Sequence, residues 1–412
     1  MQLGRGAGEV PNAIATQLEL YAGLEARPTN GWPSVNYDFS ALTGLIAPLL
    51  PPGFYNKTFM WPRNGWKIYE WFIRRMAGFG RSPTQADPDT YDKLNHHCEV
   101  LVIGAGPAGL AAARSAANSG VRVIVVDEQN EFGGSLLAGA EKIDGFSAVS
   151  WVQHVTVSLA NQPNVTLLPR TTAFGYYDHN FVAALERRTD HQGLTATQGS
   201  RQRLHRIRAK QVILATGAME RMPVFANNDR PGVMLASAVS KYLHRYAVAP
   251  GQRMVLFATN DHAYQTAFDW LRAGRQLAAV IDPRATVESA LADKLRSQGV
   301  SIYPGSAVID VLGRRRVRGV VVSSISEDLQ RITGPTTQLA CDLLAVSSGW
   351  SPTIHLSCHS GHKPTWHTEA QAFLPAARSD CFYAGGISAR YNLADCLTSG
   401  HQAGVDATQQ AD

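Results

Sequence analysis

The sequence predicts an α/β protein with two Rossmann-like dinucleotide-binding domains, the second inserted in the first, and a mostly irregular and helical N-terminal extension. Two strand, helix and strand patterns carry this prediction, one over residues 98–126 and one over 254–281. A closing strand and helix begin near residue 382 and return the chain to the first domain. We expect an extension at 1–97, the first domain at 98–217, a second and degenerate domain at 218–335, and the return to the first domain at 336–412.

The bulk composition is that of a folded protein with mild basicity. Lys and Arg number 38 against 33 Asp and Glu, which gives a net charge of +5. The basic residues at 201–210 are predicted to fringe a solvated strand, not to bind nucleic acid. Five cysteines without metal-ligand or redox spacing predict neither a metal site nor a disulfide. Neither a signal layout nor an apolar run of membrane-helix length is present, so we expect a cytoplasmic protein without membrane contact.

The extension at 1–97 is rich in proline and aromatic residues. It is punctuated by Pro51, Pro52, Pro62, Pro83 and Pro88. Near-helical spacing relates Trp66, Tyr69, Trp71, Phe72 and Ile73, and Arg74 and Arg75 follow. One interpretation is a helix packed on the next domain. The alternative is contact with a partner subunit or its cofactor, because exposed aromatics and arginines often anchor interfaces.

Within the first domain, strands are expected at 99–103 and 121–126, with an Ala-rich helix at 110–119 between them. Apolar runs at 165–168, 181–185 and 204–207 suggest a small antiparallel insert, and 211–215 is a further buried strand. In the second domain we expect a strand at 254–258, a helix at 262–273 and a strand at 277–281, with further strands near 301–303, 317–323 and 343–346. The closing segment is expected to be a strand at 382–384 and a helix from about Leu393.

The strongest local signal is the turn Gly104-Ala105-Gly106-Pro107-Ala108-Gly109 between a strand and a helix, a pattern typical of FAD- and NAD-linked reductases. Gly104 permits the tight turn, Gly106 lets backbone approach a pyrophosphate, and Gly109 allows close helix packing. The helix N-terminus adds unpaired N–H groups. The acids Asp127 and Glu128 end the next strand, where a carboxylate meets the adenosine ribose and repels a 2′-phosphate. NAD or FAD therefore fits, and NADP does not.

Other segments are assigned to the same site. They are Gly133, Gly134 and Ser135 after the second strand, Ala173, and the strand-ending pair Thr216 and Gly217. In proteins with two dinucleotide domains, such a Gly-Gly turn lies near the pyrophosphate. An ordinary turn is the alternative reading of 215–217.

The sequence differs in two places from what NADPH-binding and FAD-binding proteins require, and both differences bear on the choice of cofactor. The second domain passes from its strand into residues 259–263 without a glycine, so its own dinucleotide site is expected to be degenerate. The closing segment carries Gly385-Gly386 where flavin-binding relatives carry a Gly-Asp that holds the ribityl chain. This favours NAD over FAD in the first site. His262, His355, His359 and His401 lack paired acids and are expected to be surface or structural residues, and we assign no catalytic residue.

Longer motifs resemble the central region of heterotetrameric sarcosine oxidase alpha subunits. The resemblance extends over essentially the whole chain and is carried by 11–17, 53–62, 126–136, 230–234 and 385–387. It implies that the chain binds NAD, while a partner beta subunit holds FAD and FMN lies at the boundary between the subunits. Gamma and delta subunits are also implied. Sarcosine would be oxidised on the beta subunit, and the electrons would pass through FMN. Lys57, Arg63, Trp66, Arg74 and Arg75 are candidates to face the FMN phosphate.

The resemblance leaves several alternatives open. The chain begins at Met1 and ends at Asp412, so the ferredoxin-like and folate-binding domains of a full alpha subunit are expected to be absent. Related alpha subunits of amino-acid or opine dehydrogenases share the architecture. The remaining possibilities are a self-contained FAD-dependent oxidoreductase and a noncatalytic NAD-binding scaffold.

Overall fold

A computed structural model describes residues 1–4, 6–45, 53, 59–195 and 199–411. Lys57 and half of the 53–62 motif lie outside these residues. The chain forms two compact units by its internal contacts. Unit 1 comprises Met1–Leu94 and Leu185–Leu204, and unit 2 comprises Asn95–Ala184 and His205–Asp412.

The helices of the described residues are α1 Trp66–Met76, α2 Pro107–Asn118, α3 Ala148–Ala160, α4 Ala236–Tyr246, α5 His262–Arg272, α6 Ala290–Ser297, α7 His355–His359 and α8 Leu393–Ala411. The strands are β1 Gln2–Leu3, β2 Ala26–Arg27, β3 Tyr91–Ile103, β4 Val123–Val126, β5 Lys142–Ile143, β6 Phe146–Ser147, β7 Val165–Leu168, β8 Thr171–Tyr177, β9 Phe181–Arg187, β10 Gln202–Leu214, β11 Ala218–Glu220, β12 Val233–Leu235, β13 Arg253–Ala258, β14 Gln276–Ile281, β15 Ile302–Tyr303, β16 Ser306–Leu312, β17 Gly319–Ser324, β18 Thr337–Ala340, β19 Leu343–Ser347, β20 Trp350–Pro352, β21 Thr365–His367, β22 Ala372–Leu374 and β23 Cys381–Tyr383.

Unit 1 has little regular structure. Its strands β1 and β2 form an antiparallel pair. The predicted aromatic helix is confirmed as α1. All of its residues are described, and none of them is buried. Ion pairs join Arg201 to Asp89 and to Asp190 at 2.8 and 2.6 Å. Ion pairs therefore help to hold this unit together.

The large sheet of unit 2 has the strand order β7-β4-β3-β10-β9-β8, and β23 also pairs with β10. The pairs β3–β4, β4–β7 and β10–β23 are parallel. The paired segments 100–103, 123–126 and 212–214 are apolar and buried, as expected of parallel strands covered on both faces. The carboxyl ends of β4, β3, β10 and β23 consequently meet at one edge of the sheet.

Helices α2 and α8 pack closely against each other, and two glycines of α8 permit this close contact. A Cβ added at Gly400 would lie 2.1 Å from the carbonyl oxygen of Ala108, and one at Gly404 would lie 2.5 Å from that of Ala112. Both distances are shorter than van der Waals contact. The helix that ends the chain is thereby held against the helix that follows the glycine turn.

The second sheet has the order β12-β19-β13-β14-β15, and all of its pairs are parallel. Helices α4, α5 and α6 contribute to a core that includes Tyr264, Trp270 and Leu295. An antiparallel sheet of β16, β17 and β18 packs against the second sheet in a separate core that includes Val255, Phe257 and Val308. The antiparallel pair β11–β20 stands where the chain passes between the two sheets.

The predicted fold class is confirmed, and two details of the sequence interpretation are wrong. Strand β7 belongs to the large parallel sheet and not to an antiparallel insert, because Val165 pairs with Val123 of β4. Strand β19 lies in the middle of the second sheet, between β12 and β13. The second sheet therefore continues past the expected boundary at 335, since short apolar strands do not reveal which sheet they join.

Replacing Gly400 with Ala should destabilise unit 2, because the new methyl group would collide with the backbone of α2. We expect a loss of about 1–3 kcal/mol in the free energy of unfolding, the usual cost of overpacking, despite the better helix propensity of Ala. Urea denaturation followed by circular dichroism measures it. Gln409→Ala, at an exposed position of the same helix, is the control, and equal midpoints for the two variants would contradict the prediction.

Candidate functional site

A cavity of about 1090 Å³ lies within unit 2. One wall is the carboxyl edge of the large sheet, with Gly104, Asp127 and Thr216 among its residues. The opposite wall comes from α4 and α5, with Ser237 and Gln265 among its residues. Ligands of open α/β sheets bind outside the carboxyl ends of the strands, so the cavity is in the expected place.

The glycine turn is shaped by close backbone packing. Gly104 has φ +98°, in the left-handed region, and a Cβ there would lie 2.4 Å from the carbonyl oxygen of Ala215. A Cβ at Gly109 would lie 1.8 Å from the carbonyl oxygen of Gly104. Around Gly106, in contrast, an added Cβ would meet no atom within 4 Å. Gly104 and Gly109 hold the turn, and Gly106 leaves open space in front of bare backbone.

The first turn of α2 faces this open space. Pro107 is its first residue, no side chain caps the helix, and Gly106, Pro107 and Ala108 line the cavity. Proline suits this position because the N–H that it lacks has no partner within the helix. An uncapped helix N-terminus beside open backbone is suited to a phosphate group.

The Asp127 carboxylate holds the turn to the second strand. Its Oδ2 accepts the Ala105 N–H at 2.6 Å, and its Oδ1 accepts the Gln129 N–H at 2.8 Å. Desolvation by burial raises the pKa of Asp127, and these two hydrogen bonds oppose that effect. Each carboxylate oxygen can accept a second hydrogen bond. Asp127 and Glu128 both line the cavity, so the predicted acids are at its wall.

The Gly133-Gly134 turn lies against the first turn. The Gly133 N–H donates to the Ala105 carbonyl oxygen at 2.8 Å. A Cβ at Gly134 would lie 2.9 Å from the Gly106 α-carbon. Gly134 and Ser135 line the cavity, and Gly133 supports them through its φ of +124°.

Gly385 and Gly386 of the closing segment lie close to the first domain's strand-ending pair, Thr216 and Gly217. A Cβ at Gly386 would lie 3.1 Å from the Gly217 carbonyl carbon, and one at Gly385 would lie 2.8 Å from the Ala108 Cβ. The Thr216 hydroxyl donates to the Thr353 carbonyl oxygen at 2.7 Å. Close backbone packing thus leaves little room for a longer side chain, including Asp, at 386. Ala173, Thr216, Gly217 and Gly386 line the cavity.

The corresponding position of the second domain is closed by ionic side chains. Arg284 bridges Asp261, in the connection between β13 and α5, and Asp282, directly after β14, at 2.8 and 2.7 Å. Asp282 is completely buried and also accepts the Tyr264 hydroxyl at 2.9 Å. An aspartate replaces open backbone where a second pyrophosphate would be placed. The sequence showed the missing glycine but not this ionic bridge.

The structure brings in residues that the sequence interpretation missed. The sequence predicts surface or structural roles for four histidines, of which His262, His355 and His359 line the cavity and His401 is exposed on α8. Arg245 of α4 donates to the Asn130 and Glu131 side chains at 2.9 and 3.1 Å, beside the Gly133 turn. Trp350 and Tyr391 are also part of the lining. These residues are far apart in the sequence, so local patterns did not connect them.

The part of the chain that the structure describes contains neither a metal-binding cluster nor a membrane-spanning helix. His, Cys, Asp and Glu side chains do not gather there in groups of three or more that could hold a metal ion. The described helices all lack the length and apolar character needed to cross a membrane.

Comparison with known proteins fits this geometry. Residues 98–371 match the model of the pyridine nucleotide-disulphide oxidoreductase family. The chain belongs to this family. Thioredoxin reductase from T. acidophilum superposes with a TM-score of 0.59 at 17% identity, over 76% of this chain and 98% of that one. This likeness shows the fold alone.

The chain also resembles much longer proteins. Sarcosine oxidase subunit alpha of Rhizobium meliloti strain 1021 is 45% identical over 97% of this chain and 39% of its own length. The namesake subunit of Corynebacterium sp. strain P-1 is 42% identical over 82% of this chain and 35% of its own length. The chain therefore spans about two fifths or less of these relatives. The family resemblance drawn from the motifs is confirmed.

The raised pKa of Asp127 predicts a pH-dependent stability difference from Asp127→Asn. The folded protein takes up this proton at higher pH than the unfolded chain, whose carboxyl titrates near the usual 3.8. The stability of the wild type relative to the Asn variant should therefore fall as the pH rises from below 3.8 through the raised folded-state pKa. Urea titrations of both proteins between pH 3.5 and 7 measure this, and a difference that grows with pH would disprove it.

Proposed function

We propose that this chain binds NAD at the carboxyl edge of its large sheet. The observation that carries the proposal is the open space in front of Gly106, with the uncapped N-terminus of α2 beside it and Asp127 at the neighbouring strand end. The turn would hold the pyrophosphate, and the acids at 127 and 128 would hold the adenosine ribose. The remaining assigned residues, Gly104, Gly109, Gly133, Gly134, Ser135, Ala173, Thr216, Gly217, Gly385 and Gly386, shape or line the site.

NAD is preferred to the other dinucleotides for physical reasons. A carboxylate at Asp127 disfavours the 2′-phosphate of NADP. Gly386 carries no carboxylate to hold the ribityl chain of FAD. The bridge Asp261–Arg284–Asp282 supports the interpretation that the second domain does not bind NADPH. Bound NAD would supply hydride chemistry where a partner requires it. Because we assign no catalytic residue to the site, a structural role for NAD is favoured.

We further propose that the chain is the NAD-binding alpha subunit of a sarcosine oxidase-like enzyme. The identity of 45% over nearly the whole chain supports this assignment. In that complex a beta subunit would carry FAD and oxidise sarcosine to glycine, with FMN at the subunit boundary and gamma and delta subunits completing the assembly in the cytoplasm. The alternatives are the alpha subunit of a related amino-acid or opine dehydrogenase and a self-contained FAD-dependent oxidoreductase, and the flavin test below distinguishes the second of these.

Replacing Gly106 with Val tests the dinucleotide site directly. The φ of −73° at Gly106 suits any residue, and an added Cβ meets open space, so the variant should fold normally. Its side chain would occupy the space assigned to the pyrophosphate, and the affinity for NAD should fall about 100-fold or more, since a diphosphate would lose several charged hydrogen bonds. Isothermal titration with NAD, NADP and FAD measures the affinities.

Gly44→Val is the matched control, because Gly44 also has open surroundings but lies outside the cavity. Tight NAD binding by Gly106→Val would refute the assignment. A yellow, stoichiometric flavin that survives dialysis of the wild type would replace NAD by FAD. If Asp127→Ala assembles and turns over fully without NAD, the nucleotide has no essential catalytic part.

The surface of α1 is the proposed contact with the flavoprotein partner. Trp66 and Trp71 are 56% and 52% exposed, and the Arg75 guanidinium lies 4.5 Å from the Trp71 ring centroid. Exposed aromatic and Arg clusters are typical of interface anchors. Arg74 and Arg75 supply cations that suit a flavin phosphate. Lys57 lies outside the described residues, and Arg63 is retained on sequence grounds only.

Trp71→Ala should weaken capture of a beta-like flavoprotein encoded by a neighbouring gene, by about 10-fold or more if Trp71 is an anchor. Co-expression and affinity purification measure the retained flavin. Trp366→Ala is a close control, because Trp366 is also 52% exposed and meets Phe373 edge to face, as Trp71 meets Phe72. Equal capture by the two variants would remove α1 from the interface, and the absence of such a neighbouring gene would weaken the proposed complex.

A further inference from the structure

The carboxyl edge of the large sheet fixes the path of a dinucleotide bound there. The strand order along this edge is β4, β3, β10 and β23. Adjacent strands lie ~4.8 Å apart, so Asp127 after β4 and Gly386 after β23 are separated by roughly 14 Å. With the adenosine ribose at Asp127 and the pyrophosphate at the glycine turn, the second half of the ligand must run over Gly217 and Gly386.

Two aromatic residues stand at that far end of the edge. Trp350 begins β20 and pairs with Glu220 of β11, which directly continues the chain from Gly217. Tyr391 follows Gly386 by five residues, just before α8. Their rings stack with centroids 6.1 Å apart and planes at 30°, and both line the cavity.

The surroundings of this pair favour a flat ligand with a polar substituent. His262 meets the Trp350 ring edge to face at 5.7 Å, which helps to fix its orientation. The Tyr391 hydroxyl is buried and has no hydrogen-bond partner among the described residues. A buried hydroxyl without a partner is costly, and a ligand acceptor that reaches it through a small shift of the Tyr391 ring would remove this cost. Burial also raises the pKa of Tyr391, so its proton is present at neutral pH.

We infer that Trp350 and Tyr391 form the subsite for the nicotinamide ring, with the Tyr391 hydroxyl donating a hydrogen bond to the carboxamide oxygen. This inference rests on the proposed binding of NAD at the glycine turn. The pair accounts for the ring end of the ligand, to which the glycine turn and Asp127 make no contribution. Trp350 and Tyr391 are thus positioning residues of the site.

A comparison of two ligands separates this subsite from the rest of the site. ADP-ribose shares every group of NAD except the nicotinamide ring. For the purified 412-residue chain, NAD should bind more tightly than ADP-ribose in isothermal titrations. Trp350→Leu should weaken NAD by about 10-fold, within the range that stacking of a planar ring on an aromatic side chain supplies. The same change should leave ADP-ribose binding unaltered.

Tyr391→Phe isolates the hydroxyl, because the ring stays in place. It should weaken NAD by about 5-fold, as expected for one lost hydrogen bond, and leave ADP-ribose unaltered. Trp366→Leu, at an exposed Trp outside the cavity lining, should change neither affinity. Quenching of Trp fluorescence by NAD but not by ADP-ribose, lost in Trp350→Leu, is an independent readout.

The outcomes separate the two levels of the proposal. Equal affinities of wild type for NAD and ADP-ribose, or equal weakening of both ligands by Trp350→Leu, would overturn the nicotinamide subsite and leave NAD binding intact. If the wild type bound neither ligand, the proposed function itself would fail. Should Trp350→Leu not fold, as judged by circular dichroism, unchanged NAD affinity in Tyr391→Phe together with no NAD-specific quenching would still overturn the subsite.

Discussion

The backbone contact between Gly104 and Ala215 is the constraint on which the candidate site depends. Gly104 adopts a left-handed φ directly beneath the Ala215 carbonyl oxygen, and any side chain there would separate β3 from β10. The same turn gives the Ala105 N–H to Asp127 and the Ala105 carbonyl to Gly133. Four segments distant in sequence are therefore brought together around one short turn, and the open face of Gly106 results from their packing.

The two parallel sheets of unit 2 share one topology, but one has open space at its carboxyl edge and the other has an ionic bridge there. Both have a strand, a helix and a second strand, and each second strand ends in an aspartate. In the first, Asp127 accepts backbone N–H groups and the space before Gly106 is open. In the second, Arg284 joins Asp282 to Asp261. An aspartate at that connection opposes a diphosphate by charge, so shared topology does not imply a second site.

Unit 1 exposes many large apolar side chains. Helix α1 exposes Trp66, Ile68 and Trp71, which are large apolar side chains of the kind that anchor interfaces. The similar proteins are more than twice as long as this chain and are named as subunits. The candidate nucleotide site, in contrast, is built entirely within unit 2.

The sequence by itself determined the local parts of this protein. The turn at 104–109, the acid at Asp127, the missing glycine at 259–263, α1 and the start of α8 follow from residue type and spacing, because each is decided within a few neighbouring positions. Only the tertiary structure decided that β7 and β19 join parallel sheets, that Arg284 closes the second domain, and that Trp350 meets Tyr391. These contacts depend on pairing between distant strands, and no local pattern encodes which distant strand a short apolar segment will choose.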